Sequence, residues 1–422
     1  MHARRRWAAG TDLASAAGPL IASACVHIIE VVVRIARILM VAFLLSCLLP
    51  GTTLRTGAQK LPASQPKIRV YYIAADEVMW DYVPHGRNLA GLPASEEEEG
   101  GGSQTTYRKA IYQEYTDATF QTLKPRPPQW AHLGILGPLI RAEVGDTIKV
   151  FFKNNTKIFC SMHPHGVAYA KDSEGALYND GIPDDQKKGA FIPPGQTHTY
   201  TWTVPERAGP AHADTSSIVW AYHSHFVEPR DMNTGLLGPI IISGKGTTKA
   251  DGTPKNVDRE FITAFAVFDE TSSWYFEANT MNQRKYAPHL RLTDPSFREP
   301  YLMYSINGFL EGNMPMLTMK KGERVRWYLL SNGNDDDVHT PHWHGQTVTL
   351  MHMRMDMISL APMMMATADM VPDNVGTWLF HCHVNDHLEG GMVALFTVTT
   401  DSAVKPSAAS HEHQATSAQN GR

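Results

Sequence analysis

Residues 376–383 read GTWLFHCH. On a β-strand, side chains two apart share a face and neighbours point to opposite faces. Extended, this segment puts Trp378, Phe380 and Cys382 on one face, apolar enough for a barrel core. His381 and His383 then share the other face and look out of the domain. One strand thus offers a thiol inward and two imidazoles outward.

Working outward, the segment has a counterpart. Residues 220–225 (WAYHSH) parallel 378–383 (WLFHCH). Residues 141–154 (RAEVGDTIKVFFKN), followed by HPHG at 163–166, parallel 319–332 (MKKGERVRWYLLSN), followed by HWHG at 342–345. Two similar β domains, 66–245 and 256–400, account for the repeat. Short runs rich in β-branched and aromatic residues lie at 147–153, 198–204, 236–243, 261–268, 324–330 and 391–398, broken by Gly and Pro. With no long 3.6-residue periodicity, they predict an all-β sandwich or barrel.

Ten of the 20 histidines fall in four clusters: His163/His165, His223/His225, His339/His342/His344 and His381/His383/His387. One HxH is weak; four in one chain, the last wrapped around Cys382 and followed by Met392, are specific for metal. His163/His165, His223/His225, His342/His344 and His381/His383 are same-face pairs, and these eight outward imidazoles can meet between domains around three coppers. His339 has the opposite parity and joins Cys382 inside, provided Pro341 keeps the register. His339, Cys382, His387 and Met392 make the two-imidazole, thiolate and weak-thioether set of a blue-copper electron-transfer site. The Cys382 backbone is continuous with His381 and His383, a short covalent route to the outward group. Reducing dioxygen takes four electrons, and one blue copper plus three others can hold four. In the first repeat Cys160, Ser224, Pro229 and Thr234 stand opposite His339, Cys382, His387 and Met392, so no blue copper is expected there. Cys160 reads as a small buried thiol.

The 422 residues suffice for two or three domains, and 43% hydrophobic with 19% charged residues is ordinary for a globular protein. A net charge of −4 gives no basic field for nucleic acid, and four cysteines exclude a disulfide scaffold. Residues 1–60 read as a leader outside the fold. The apolar run 38–49 (ILMVAFLLSCLL) is too short for a stable transmembrane span, follows Arg34 and Arg37, and precedes Gly57 and Ala58, as in an export signal. A buried helix or short anchor is the alternative, and LLSC at 44–47 leaves lipid attachment at Cys47 open; residues 1–30 fit an early start codon. A secreted or periplasmic protein is expected. Residues 95–102 (SEEEEGGG) read as a solvated loop and 401–422 as a disordered tail.

These motifs resemble the multicopper oxidases. Residues 67–400 are most similar to a domain pair of the ceruloplasmin and hephaestin group, through YYIAADEVMWDYVP (71–84), YTDATF (115–120), HLGILGPLI (132–140), KDSEGALY (171–178) and TGLLGPIII (234–242). The resemblance implies two cupredoxin-like Greek-key β-barrel domains and copper as cofactor: one type-1, one type-2 and a type-3 pair per chain equivalent. It implies that His163 and His342 hold the type-2 copper and that His165, His223, His225, His344, His381 and His383 hold the type-3 pair. Members this short are small laccase-like enzymes. Domain 1 of one chain docking on domain 2 of the next closes a homotrimer with inter-chain clusters. O2 and a small reducing substrate, a phenol or a metal ion such as Fe(II), Cu(I) or Mn(II), are the expected partners. Beside the blue copper the iron-oxidising relatives carry acids and a histidine, aligned here with Glu299, Asp356 and Tyr304. Glu174 is either a proton relay or a turn residue. The alternating Met351, Met353, Met355 and Met357, with 363–365, read as a stripe of core side chains, with Cu(I) ligation the alternative. A copper-sequestering protein and a two-domain copper nitrite reductase are the rival readings.

Overall fold

The computed structural model describes residues 65–92, 104–280, 295–332 and 338–400. The expected leader, the acidic run at 95–102 and the tail lie outside those residues.

Strand formation follows the side-chain period. Thr147–Asn154 alternates without a break, with Ile148, Val150, Phe152 and Asn154 buried. It lies third in a five-stranded sheet ordered Thr106–Glu114, Ile68–Asp81, Thr147–Asn154, Thr197–Thr203, Ala168–Tyr169. A four-stranded sheet, Ile140–Glu143, Leu237–Ser243, Ser217–His223, His163–Pro164, closes the first barrel. The second barrel repeats the plan. Its six-stranded sheet runs Leu302–Ile306, Arg259–Asp269, Val325–Ser331, Met365–Met370, Val348–Leu350, Met353–Met355. Its four-stranded sheet runs Leu317–Lys320, Val393–Thr399, Gly376–Cys382, Pro341–Trp343. Parallel pairs recur at equivalent places, Ile68–Asp81 with Thr147–Asn154 and Arg259–Asp269 with Val325–Ser331. These non-sequential neighbours are the crossovers of a Greek-key barrel.

Trp327, Trp343 and Phe380 form the heart of the second core, with ring centroids 5.0–5.5 Å apart. Each such ring buries about 150–250 Å², worth roughly 4–6 kcal/mol before entropic losses. Leu237–Ser243 and Val325–Ser331 are buried at every residue. One face serves each barrel's own core, and the other serves a layer between barrels where Val219, Ala221, Leu237 and Ile241 meet Ile262, Ala264, Tyr328 and Leu330. Unbroken apolar runs mark strands covered on both faces.

The methionine stripe divides: Met355, Met363 and Met365 pack against the cores as expected, and the other four do not. Met351 and Met353 are 59% and 58% exposed, and Met357 and Met364 also face solvent. Strand Met353–Met355 is the outermost of its sheet, so among the described residues no further strand pairs with it. Val348, Ile358 and Leu360 supply the core contacts of this segment instead. No helix among the described residues is long and apolar enough to cross a membrane.

Candidate metal centres

Strand Gly376–Cys382 lies between Val393–Thr399 and Pro341–Trp343, with Cys382 opposite Pro341, His381 opposite His342 and Phe380 opposite Trp343. Phe380 and Cys382 are fully buried in the second core. His381 leaves by the other face.

Inside, three side chains converge. Cys382 Sγ lies 3.5 Å from His387 Nδ1 and 3.9 Å from His339 Nδ1, and the two Nδ1 atoms are 3.2 Å apart. His339 is fixed by reciprocal backbone hydrogen bonds with Leu360, 2.9 and 2.8 Å. The Thr340 amide donates to the sulfur at 3.3 Å. Met392 is fully buried in the same cluster; its carbonyl accepts from the Cys382 amide and its amide donates to the His387 carbonyl. Burial, then the neighbouring His387 ring, pushes His339 down to about 3, and burial lowers His387. Neutral imidazoles beside a thiol are the donors a soft, copper-type site requires.

Outside, the imidazoles form two quartets. His163, His165, His223 and His225 have ring centroids 5.1–5.5 Å apart, and His342, His344, His381 and His383 are 4.9–5.5 Å apart. In each quartet two Nε2 atoms face each other at 3.0 Å, His165 with His223 and His344 with His381. Backbone carbonyls fix the tautomer, because a carbonyl only accepts. Nδ1 of His163 donates to Glu174 O at 2.7 Å, His223 to Ser224 O at 3.0 Å, His342 to Asp356 O at 3.0 Å and His381 to Cys382 O at 2.7 Å. The proton therefore sits on Nδ1 and the Nε2 lone pair points into the quartet, as a metal-ligating imidazole needs. Burial and the adjacent imidazoles hold His165 and His381 near 4 and lower His223 and His344. The soft trio instead offers Nδ1, from His339 and His387, which flank the strand that carries Cys382.

The glycine closing each HxHG motif has a steric reason. A Cβ on Gly166 would lie 2.3 Å from the Trp220 ring, and one on Gly345 would lie 3.1 Å from Trp378. Both have positive φ, 77° and 66°, where glycine carries no steric penalty. Each tryptophan belongs to the strand that ends in the second HxH, so the glycine locks the two halves of a quartet together.

Two family profiles, both described as multicopper oxidase, match residues 114–247 and 283–402. The chain belongs to the multicopper oxidase family. It is 40% identical to hephaestin of Rattus norvegicus over 354 residues, 80% of this chain and 30% of that one. With ceruloplasmin of Homo sapiens it shares 41% over 349 residues, 78% and 32% of the two chains, and with ferroxidase HEPHL1 of Mus musculus 39% over 340 residues, 78% and 29%. The chain spans about a third of the length of these relatives. Among solved structures, the multicopper oxidase mgLAC superposes with a TM-score of 0.51 at 19% identity, covering 82% of this chain and 90% of that one. A copper nitrite reductase from Nitrosomonas europaea gives 0.51 at 19%, covering 79% and 95%. At such identities these structures share the fold alone. Family membership implies copper, which the donor sets above suit.

In this multicopper oxidase the first barrel has no counterpart of the soft trio at the equivalent place. Ser224 stands there, and its hydroxyl donates to Asp231 Oδ2 at 2.7 Å. The Phe226 and Val227 amides also donate to Oδ2, and Trp274 Nε1 donates to Oδ1 at 2.7 Å. Asp231 lies one turn into the helix Glu228–Thr234, and the sequence carried no signal for it. Cys160 is buried close by. The Glu174 carboxylate accepts from Lys171 Nζ at 2.7 Å and from Tyr178 OH at 2.8 Å.

The residues expected to form an acidic group beside the soft trio are placed as follows. Tyr304 lies there, its ring 5.4 Å from His387 and its hydroxyl donating to Glu299 at 3.0 Å. Asp356 instead aligns with His342, with its carbonyl on that ring and on the Trp343 amide. Burial, then Glu299 and then Asp386, raise the Tyr304 phenol, so the second acid near it is Asp386. Asp386 immediately precedes the ligand candidate His387, a signal that spacing from Cys382 could have supplied.

Proposed function

We propose that this multicopper oxidase takes single electrons from a small reducing substrate beside the His339–Cys382–His387 pocket and delivers them to dioxygen at a centre built from the two quartets. One observation carries the reading: His381, locked with Nε2 inward, lies next in the chain to a buried thiol that faces two Nδ1 atoms. Copper held by these groups would supply one-electron redox chemistry and the four-electron reduction of dioxygen to water. His339, Cys382, His387 and Met392 would hold a type-1 copper, His163 and His342 the type-2 copper, and the other six imidazoles a type-3 pair. The His381–Cys382–His383 backbone joins the two environments covalently. Glu174, whose carboxylate meets Lys171 and Tyr178 and whose carbonyl meets His163, would pass protons toward the first quartet.

A trimer completes the centre. Among the described residues every ring contact between two of these eight histidines stays within its own quartet. Each quartet is half of a site, and a head-to-tail contact repeated three times pairs every half with the other kind. Fe(II) is the favoured donor, because Glu299 and Asp386 put negative charge beside His387 and a relative in the comparison bears the name ferroxidase. Export from the cytoplasm is supported by the basic residues and apolar run before residue 50.

Copper analysis of the purified protein should find about four ions per chain, an intense visible absorption from the thiolate, and oxygen uptake with Fe(II). Cys382→Ser should abolish colour and turnover while leaving the circular dichroism unchanged. Oxygen uptake retained in that variant would sink the reading.

A further inference from the structure

Past the end of strand Ile68–Asp81 the chain leaves the first barrel and lies against the second. The Tyr82 carbonyl accepts from the Leu310 amide at 3.0 Å, and the Leu89 and Ala90 amides donate to the Glu311 carbonyl at 2.8 and 3.2 Å. Asn313 clasps the span between these contacts. It is 3% exposed; its Oδ1 accepts from the His85 amide at 3.1 Å, and its Nδ2 donates to the Arg87 carbonyl at 3.0 Å and the Leu310 carbonyl at 3.1 Å. His85 and Arg87 themselves face solvent. A buried side-chain amide that spends its hydrogen bonds on the backbone of an exposed arm fixes where that arm lies.

The other side of the same turn meets the soft trio. The Glu311 amide donates to the Gly391 carbonyl at 2.8 Å and the Gly312 amide to the Val393 carbonyl at 3.0 Å, so these bonds fall on either side of buried Met392. Glu311 and Gly312 are both left-handed, φ 56° and 76°. The close approach needs glycine at two places. A Cβ on Gly391 would lie 3.1 Å from Glu311 Cγ, and one on Gly312 would lie 2.8 Å from the Ala90 amide nitrogen. Arm, turn and the Met392 segment therefore stack with little room to give.

We infer that the first-barrel arm, residues 82–90, positions the Met392 thioether of the second barrel, and that Asn313 is the positioning residue that holds the arm in place. The inference rests on the type-1 assignment proposed above. A thioether is the weak, long ligand of such a site, and the axial ligand tunes the reduction potential. Its lone pair stabilises the more highly charged oxidised ion more than the reduced one, so a thioether that retreats raises the potential. The first barrel thereby takes part in setting the driving force of electron entry in the second.

The test is a redox titration of the blue absorption of copper-loaded protein, with each variant poised at the midpoint of the parent. Asn313→Ala should raise the ratio of reduced to oxidised blue copper at least threefold, about 28 mV at about 59 mV per tenfold for one electron. Gly312→Ala presses on the Ala90 amide and lifts the arm with Asn313 intact. It should move the ratio the same way, and it carries the test alone if Asn313→Ala does not fold. Asp231→Ala removes a different tie between the barrels, the one to Trp274, and should leave the ratio at the parent value, so that lost stability by itself is not what is read. Parent ratios in both arm variants, or an equal shift in Asp231→Ala, would overturn the inference and leave the copper reading standing. A parent without blue absorption would overturn both.

Discussion

His132 sits between the barrels with both ring nitrogens engaged. Its Nδ1 donates to the Gln129 carbonyl at 3.0 Å, and its Nε2 accepts from the Ile262 amide at 3.2 Å, so the ring must be neutral. Burial depresses it from 6.5 to about 4. Below 6.5 the unfolded chain takes up a proton that the folded chain refuses, so stability falls as the pH drops through that window and is level above it. The expected loss from this residue is about 2 kcal/mol between pH 7 and pH 5, approaching about 3 kcal/mol by pH 4. Urea unfolding of parent and His132→Gln at several pH values checks it, since the difference between the two should shrink by that amount on acidification. The same scale explains why the histidine clusters were legible in sequence: HxH on a strand fixes a shared face with no tertiary information. It did not give the contact of the Asp356 carbonyl with His342, because a loop residue's partner is set by which strand it crosses.

At the scale of elements, the segment after Ser217–His223 depends on Asp231. One carboxylate receives the Ser224 hydroxyl, two backbone amides and the Trp274 indole, and so gathers donors from the strand end, the helix entrance and the second barrel. Asp231→Ala leaves several buried donors without acceptors and should cost about 3 kcal/mol in urea unfolding. The blue absorption of copper-loaded protein should persist, because His339, Cys382 and His387 lie in the other barrel. Loss of colour at unchanged stability would contradict that assignment. The second barrel's equivalent strand end carries Cys382 in place of Ser224, so the two repeats spend the same pocket differently. Strand positions were legible from alternation: 147–153 was expected and Thr147–Asn154 is found. The exposure of Met351, Met353, Met357 and Met364 was not legible, because alternation is the same whether a strand lies inside a sheet or forms its edge.

Across the whole molecule, Lys109 of the first barrel and Glu270 of the second form a fully buried ion pair. Tyr82 donates to the same carboxylate at 2.6 Å, and Lys109 Nζ also reaches the Asn233 carbonyl at 2.6 Å. Removing one partner strands a charge, so Lys109→Met should destabilise by about 3–5 kcal/mol, whereas Lys109→Met with Glu270→Leu should recover most of that loss. Denaturation midpoints of the three proteins decide it, and a double variant no better than the single would show the pair to be net stabilising. Phe159, Phe191 and Phe226 form a ring cluster on the first barrel, Phe159 is 42% exposed, and Phe226 follows His225 directly. In the proposed ring this surface is covered by the next copy. Phe159→Arg should therefore give monomers on a sizing column that keep the blue absorption and lose oxygen uptake. Active monomers would end the trimer proposal.

The sequence by itself determined the all-β repeat, the inward thiol with its outward imidazoles, and the metal chemistry those donors allow, because strand parity and donor softness are local properties. Only the tertiary structure decided which carbonyls lock His163, His223, His342 and His381, that Asp386 lies near Tyr304 beside the soft trio, and that Met351, Met353, Met357 and Met364 face water. Those outcomes depend on which strands become neighbours and which one is left at the edge, and no local pattern encodes that.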